Sequence, residues 1–327
     1  MSNVEKVKTV PAAKREKAQE KGDKYYYASQ WSLMMRKFRK HKLAMASTVL
    51  LLIFYLAAIF GNFIAPQGTE QYDGGYVNCG PTPVHWFHEG KFIGPFVYGL
   101  KTERDPETYM LVFAEDTEQI YRIRFFAQGD EGGEYKLFGL IPSNLHLFEA
   151  EEGGKVFLFG TDSMGRDLFS RVVLGAQISL FIPVAGMLLT LVLGLFMGSL
   201  AGYFGGWVDT VIMRIADMMV SFPGMVFAMA IAGILGASVR NAVIDVSLVS
   251  WTRYARLSRS LVLKIRNRDY VAAAVVTGSK TPYILTRYMV PNVIPTLVIT
   301  AATDIGGMML ELAGLSFLGF GAKAPTP

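Results

Sequence analysis

The chain has 327 residues, of which 51% are hydrophobic and only 18% are charged. Soluble globular chains usually carry about 25% charged residues, so this composition favours an integral membrane protein. The single cysteine, Cys79, excludes an intrachain disulfide, and the formal net charge is +5.

The first 42 residues form a basic tail with 12 Lys/Arg and 4 Asp/Glu. Residues 1–30 are polar and lack apolar periodicity, which predicts disorder. Residues 31–42 mix aromatic, apolar and basic side chains, a composition typical of short helices on an anionic inner leaflet. We therefore expect a cytoplasmic tail with an interfacial helix and membrane lipid as a partner. A nucleic-acid partner is disfavoured by the apolar segment that follows.

Five segments are predicted to span the membrane: residues 43–65, 178–201, 211–236, 237–251 and 289–310. The first is uncharged and, at about 1.5 Å per residue, is long enough to cross a hydrocarbon core of about 30 Å. Its length argues against a cleaved signal peptide. The fourth is interrupted by Asp245 and is inferred from topology, because the basic segment after it must be cytoplasmic. A kink is expected at Pro223 in the third.

Between the first two spans, residues 66–159 predict a small β-rich domain outside the membrane. Residues 66–167 hold 8 Lys/Arg and 17 Asp/Glu, and this acidic balance opposite the basic tail indicates the outer side. Five runs rich in aromatic and β-branched residues predict short strands: Lys91–Tyr98, Thr108–Phe113, Ile120–Phe126, Tyr135–Gly139 and Lys155–Phe159. His85 and His88 are expected to lie in a surface loop, because no further ligands accompany them to form a metal site.

Two glycine patterns follow the β-rich domain. Residues 160–167, GTDSMGRD, superficially match a phosphate loop, but Arg166 and Asp167 replace its Lys and Ser/Thr, which argues against nucleotide binding. The favoured interpretation is a structural lead-in to a helix, with an interfacial polar cluster of Arg166, Asp167 and Arg171 as the alternative. Further on, glycines recur every fourth residue, a spacing that predicts close helix packing, at Gly194, Gly198, Gly202 and Gly206.

Residues 253–292 carry eight Lys/Arg against one acid, Asp269, and lie between apolar segments. A small-residue patch, Ala272–Ala274, precedes Gly278 and offers a shallow surface for another protein. The alternative is a solvated basic loop that only sets topology.

Acidic residues also occur in or near the predicted spans, where ionisable groups are costly and usually face protein or a watery cavity. Asp217, Asp245, Asp304 and Glu311 are the candidates for a polar path. For Asp217, pairing with Arg214 is an equally good interpretation.

The basic segment resembles the coupling loop of binding-protein-dependent ABC importer permeases. Its pattern appears here as Ala272-Ala273-Ala274, Gly278 and Tyr288-Met289-Val290-Pro291-Asn292, with Ala272 and Tyr288 where the family has Glu and often His. The run GTDSMGRDLFSRVVLGAQISL is similar to a signature of dipeptide and oligopeptide importers, as are residues 202–209, 221–223, 254–256 and 315–319. The resemblance covers about residues 43–65 and 160–327.

This resemblance implies an all-α polytopic membrane protein with the type I ABC importer permease fold, carrying a β-rich extracytoplasmic insertion. A sixth span is expected beyond the last residue of the sequence. The implied domains are residues 1–42, 43–65, 66–159 and 160–327, the last containing the coupling loop 253–292. The residues implied to dock an ATPase are Tyr270, Ala272, Ala273, Ala274, Gly278, Tyr288, Pro291 and Asn292.

The resemblance further implies a non-catalytic subunit of the bacterial inner membrane. Its partners would be a second homologous permease subunit, two cytoplasmic ATPases that bind ATP and Mg, and an extracytoplasmic substrate-binding protein. Peptides, opines, oligosaccharides and nickel complexes are all candidate substrates. Two other interpretations are an ion-coupled secondary transporter, which would need internal repeats, and a membrane-anchored enzyme acting through its outer domain.

Overall fold

The computed structural model describes residues 30–69, 71–104, 106, 107, 109, 111–128, 135–137, 141–236 and 238–321. The predicted disorder of residues 1–30 lies outside them, except for Gln30. Contacts divide the chain into two compact units that meet between Leu56 and Ala57.

The first unit contains helix α1, Gln30–Lys40, and most of helix α2, Lys42–Ile59. His41 separates the two helices, and its Nδ1 accepts a hydrogen bond of 3.0 Å from the Ala44 amide at the start of α2. Between Leu43 and Leu56 the apolar side chains of α2 are largely exposed. Such a surface suits lipid hydrocarbon rather than water.

The second unit opens with a short helix, α3, Gly61–Ile64, and then forms the predicted β-rich domain. Its strands are β1, His85–His88; β2, Lys91–Arg104; β3, Leu111–Gln128; β4, Tyr135–Leu137; β5, Ile141–Ser143; and β6, Leu145–Ala150. Four of them form an antiparallel sheet in the order β1-β2-β3-β6, and β4 pairs with β5. Val97, Phe148 and Val156 form the centre of this domain's core.

Three strand predictions differ from the structure. Residues 155–159 are not a strand; Val156 and Phe157 are buried in the core of the domain by an irregular segment. Residues 111–113 of one predicted strand and residues 120–126 of another belong to a single long strand, β3, because β2 pairs on both sides of a bulge between Tyr98 and Gly99. Thr108 and Met110 of the first prediction lie outside the described residues. Strand β1 lies where a loop was expected, and it pairs with the start of β2.

The two ends of the β-rich domain are joined at its base by a ladder of hydrogen bonds. The Thr82 amide donates to the Phe157 carbonyl at 2.8 Å, and the Thr161 amide donates to the Cys79 carbonyl at 2.9 Å. The Asp73 amide in turn donates to the Gly165 carbonyl at 3.0 Å. The chain therefore leaves and rejoins the helical part at nearly the same place.

The helical part follows from residue 168. Its helices are α4, Leu168–Phe204; α5, Gly206–Val220; α6, Gly224–Leu235; α7, Val239–Arg266; α8, Asp269–Val276; α9, Thr281–Ile284; and α10, Val290–Phe317. A π turn, Leu285–Met289, joins α9 to α10. Tyr254, Val262 and Leu297 lie in its core, which α4, α7 and α10 share.

Among the described residues, three helical stretches are long and apolar enough to cross a membrane: Lys42–Ile59, Leu168–Phe204 and Thr281–Phe317. A fourth is reached if α5 and α6, which meet at an angle of 96° around Pro223, count as one broken span. Helix α7 is not among them, since it carries six Lys/Arg as well as Asp245. The structure thus shows a helical protein with a β-rich insertion, and the expected five spans remain a prediction.

Candidate functional site

Helix α8 forms the small-residue part of the predicted coupling loop. It follows α7 after the two residues Asn267 and Arg268, and Asp269 places an acidic side chain in its first turn, where the helix dipole favours negative charge. It ends at Val276, and Gly278, two residues further on, has a φ of +77°, which glycine adopts readily. The Ser279 amide donates to the Ala274 carbonyl at 3.0 Å, closing a Schellman motif. The helix is therefore short and sharply bounded.

The predicted patch is divided between two faces of α8. Val271 and Ala274 are buried against the helical part, whereas Ala272 and Ala273 are exposed. Val276 at the end of the helix is 87% exposed. A short helix anchored on one side and apolar on the other is suited to contact a partner protein.

Aromatic residues near the end of the predicted coupling loop pack against α8. The rings of Tyr270 and Tyr288 lie 6.1 Å apart, and Tyr283 packs edge-on against Tyr288 at 5.9 Å. Asn292 donates from its side chain to the Tyr288 carbonyl at 2.6 Å. Pro291 lacks an amide hydrogen, and the π turn ends two residues before it, at Met289. These residues pack around α8 and the π turn, although Pro291 and Asn292 themselves are exposed.

Three arginines, spaced three residues apart on α7, each pair with an acid on another helix: Arg253 with Asp304, Arg256 with Asp217 and Arg259 with Asp209. The first two pairs have N–O distances of 2.9 and 2.7 Å. The third is bidentate and partly buried. We call these six residues the arginine ladder. It ties α7 to α5 and α10, and it places Asp217 with Arg256 rather than with Arg214.

Most of these charges stand out in the sequence, but their pairing and the role of Asp209 do not. The spacing Arg253-x-x-Arg256-x-x-Arg259 was the available signal, because residues three apart lie near one another along a helix. Which acids they meet depends on how α5 and α10 pack against α7, and sequence spacing does not determine that.

The glycines of α4 let α7 approach closely. A Cβ added at Gly194 would lie 2.3 Å from the Tyr254 Cβ, and one at Gly198 would lie 2.3 Å from the Ala255 carbonyl oxygen. A Cβ added at Gly202 would lie 2.9 Å from the Arg259 carbonyl oxygen. The fourth residue of the pattern, Gly206, begins α5 and has no atom within 4 Å of its ideal Cβ. The packing face therefore ends at Gly202.

Two of the four acidic residues predicted to form a polar path line one cavity. Asp304 and Glu311, both on α10, line a cavity of about 420 Å³ that also contacts α7. The Tyr254 hydroxyl donates to Asp304 at 2.8 Å, beside the ion pair with Arg253. Asp245 is fully buried on α7. Asp217, by contrast, lies outside this cavity on α5.

The GTDSMGRD segment serves the structure locally. Asp162 accepts from the Met164 and Arg166 amides and from the Arg166 side chain at 2.7 Å. Although partial burial opposes it, these hydrogen bonds hold the pKa of Asp162 below its ordinary value. Asp167 caps α4 by accepting from the Phe169 and Ser170 amides, and burial raises the pKa of this carboxyl. Both carboxylates are engaged with their own segment, as expected for a helix lead-in.

Comparison with known proteins finds two matching families. Residues 168–327 match the family described as "Binding-protein-dependent transport system inner membrane component". Residues 29–81 match the "N-terminal TM domain of oligopeptide transport permease C".

Individual relatives agree. The chain is 43% identical over 167 residues to the nickel transport system permease protein NikC of Escherichia coli, covering 51% of this chain and 60% of the relative. It is 40% identical over 169 residues to the dipeptide transport system permease protein DppC of Alkalihalophilus pseudofirmus, covering 52% and 56% respectively. The chain thus spans 60% or less of these relatives. One match lies over the first long apolar helix and another over residues 168–327, so both parts of the chain are similar to membrane components of binding-protein-dependent transport systems.

Proposed function

We propose that this chain is a membrane-spanning permease subunit of an ATP-driven importer for small solutes delivered by a binding protein. The observation that carries the proposal is α8, an exposed helix anchored at the end of α7 inside the region that matches the transport family. Because the named relatives are permeases for nickel and dipeptides, metal complexes and short peptides are the proposed substrates. The chain itself is proposed to be non-catalytic.

The proposed assembly contains a second homologous permease subunit, two cytoplasmic ATPases that bind ATP and Mg, and an extracytoplasmic substrate-binding protein. The protein would be multi-pass in the inner membrane with a cytoplasmic N-terminus. The opposite charges of residues 1–42 and 66–167 support this orientation. Five spans complete the proposed topology.

The structure suggests how movement would pass from the ATPases to the membrane. Helix α7 runs unbroken for 28 residues, about 42 Å at 1.5 Å per residue, and ends two residues before α8. The arginine ladder joins it to α5 and α10. A force on α8 would therefore move α7, α5 and α10 as a packed group, a rigid-body change of the kind that alternates access.

The docking role can be tested with Ala272→Trp. Ala272 is exposed on α8, so the larger side chain blocks a partner without disturbing the core of the chain. We expect ATPase subunits to be lost from the co-purified complex, with membrane insertion unchanged. Gly278→Trp is a poorer choice, because its φ of +77° makes any side chain strained.

The matched control is Ala114→Trp, the same substitution at an exposed position on β3 of the outer domain. It should leave ATPase association intact. Normal co-purification and transport with Ala272→Trp would show that α8 is not the docking element.

A further inference from the structure

One end of the four-stranded sheet lies against the helical part of the chain. At this end Gln128, the last residue of β3, pairs with Leu145, the first residue of β6. The adjacent residue, His146, bonds to the Ala65 carbonyl at 2.7 Å and lines a small cavity together with Leu174 of α4. We call this the helix-proximal end of the sheet. The opposite end carries the first residue of β3, Leu111.

The helix-proximal end lies where the first two predicted spans leave the membrane. The Gln177 side chain of α4 donates to the Ala58 carbonyl, in the last turn of α2, at 2.9 Å. This hydrogen bond sets the outer ends of two long apolar helices at one level. Leu174, which shares a cavity with His146, lies three residues before Gln177, or about 4.5 Å along the helix. The end of the sheet is therefore close to the expected membrane surface.

Exposed aromatic side chains lie at this level. Phe125 and Phe126 of β3 are 57% and 65% exposed. The ring of Phe126 lies 5.9 Å from that of Phe63 in α3. We call these three residues the aromatic rim. Ile59 and Phe60, just before α3, are also partly exposed. The apolar surface of the sheet thus continues onto the outer end of the first membrane helix.

The backbone at Phe126 is unusual for an aromatic residue. Its φ is +54°, a left-handed conformation that glycine and asparagine adopt with less strain than bulky residues do. It interrupts the alternation of faces along β3, and the adjacent Phe125 is exposed although its pairing partner, Phe148, is buried. A strained position held by a bulky, exposed side chain points to a function for that side chain.

We propose that the aromatic rim contacts the outer leaflet of the lipid bilayer and holds the β-rich domain against the membrane surface. Aromatic side chains favour the interface between hydrocarbon and water. The rim lies at the level of that interface, and its apolar surface is continuous with a membrane helix. These two observations favour lipid over a protein partner.

The neighbouring groove indicates that the contact is apolar and does not select charged headgroups. Arg124 and Glu151, paired at 2.9 Å, lie on its wall together with Glu152 and Lys155. Both signs of charge are present, so a neutral phospholipid suffices as the partner. The inference rests on the membrane-spanning role in the proposed function, but not on what the protein transports.

The test measures how deep the rim lies in a bilayer. A nitroxide label is attached at Phe126→Cys in the full chain, with Cys79→Ala in every variant to remove the other thiol. The chain is placed in phosphatidylcholine nanodiscs, and electron paramagnetic resonance compares collisions of the label with oxygen, which enters lipid, and with a water-soluble nickel chelate. We expect the label to lie about 5–10 Å below the lipid phosphates.

Val112→Cys is the matched control, because Val112 is 51% exposed at the opposite end of the same strand. Fourteen residues separate it from Phe126, or up to about 46 Å, so its label should collide mainly with the aqueous chelate. Ile53→Cys, in the middle of α2, provides the reference for a label in hydrocarbon. Phe125→Cys gives a second position in the rim, and thermal unfolding shows which variants retain the fold.

Two results would overturn the inference. One is aqueous exposure of the labels at residues 125 and 126 equal to that at residue 112. The other is shielding of the rim labels from both oxygen and the chelate in the assembled importer, which would show that a protein subunit covers the rim. The label at residue 53 keeps the two proposals apart. If it lies in lipid while the rim lies in water, only the rim inference fails, whereas a label in water at residue 53 would refute the membrane-spanning role as well.

Discussion

The packing of α4 against α7 gives a quantitative prediction at Gly198. An alanine Cβ there would lie 2.3 Å from the Ala255 carbonyl oxygen and 2.7 Å from the Ser258 Cβ, where ordinary contacts begin at 3.4 Å. The helices would have to separate by about 1 Å. Because Gly194 and Gly202 share this face, the whole seam would open. Overpacking of this kind costs about 1–3 kcal/mol, occasionally more.

Gly306→Ala is the matched control. Gly306 lies inside α10 with no atom within 4 Å of its ideal Cβ. Alanine there should stabilise by about 0.5–1 kcal/mol, because glycine loses more backbone freedom on folding. Gly198→Ala should therefore lower the free energy of unfolding, whereas Gly306→Ala should raise it.

The assay is thermal unfolding of the purified chain, followed by circular dichroism. At about 2–4 °C per kcal/mol, Gly198→Ala should lower the transition by about 2–12 °C. Gly198→Leu should lower it further, and more than Leu195→Ala does, although the latter removes more apolar surface. An unchanged transition for Gly198→Ala, or a larger loss for Leu195→Ala, would refute the view that close backbone approach holds this seam together.

Three further predictions concern other parts of the chain. His146 donates from Nδ1 to the Ala65 carbonyl at 2.7 Å, its buried Nε2 has no partner among the described residues, and burial lowers its pKa. The unfolded chain therefore binds a proton more readily, so stability should fall as the pH drops below about 6.5, and His146→Gln should flatten the profile of thermal unfolding against pH. Asp209→Asn should lower the free energy of unfolding by about 1–3 kcal/mol, because the Asp209 side chain in the bidentate pair with Arg259 is only 18% exposed. Asp217→Asn should lower it by about 0–1 kcal/mol, because the Asp217 side chain is 58% exposed. Equal losses in thermal unfolding would contradict this ranking. An impermeant thiol reagent should label Glu103→Cys in intact spheroplasts and Val276→Cys only after the membrane is opened. Cys79 is buried and its pKa is raised, so it should stay unlabelled until the chain unfolds. The reverse order for the two introduced cysteines would invert the topology.

Local chemistry made part of this structure predictable from the sequence. The break at Pro223, the apolar stretch of α2 and the β-rich character of residues 66–159 follow from residue type and spacing. The length of β3 did not follow, because Glu115 and Asp116 in its charged middle pair with β2, and residues 117–119 beside them form the bulge. Periodicity cannot show a partner strand that is distant in sequence.

The candidate site was foreseen in its residues but not in its connections. The sequence alone identified Ala272–Ala274 and the acids on α10 as candidates. Which of the three alanines are buried and which are exposed depends on how α8 packs against the other helices, and the sequence does not show that. The burial of Asp245 without a hydrogen-bond partner among the described residues was likewise invisible in a hydropathy pattern. Whether a buried charge has a partner depends on three-dimensional packing.

The hydrogen-bonded base of the β-rich domain makes that domain a separable cassette. Thr82 and Phe157 are joined directly by a backbone hydrogen bond of 2.8 Å, so residues 83–156 leave from and return to adjacent points. Closing such a gap needs only a short turn, because neighbouring antiparallel backbones can be linked by two residues. Residues 83–156 could therefore be shortened, enlarged or exchanged as a unit, provided that the contact of Phe148 with Phe169 of α4 is kept or replaced. Variation in this domain need not change the backbone path by which the chain enters α4.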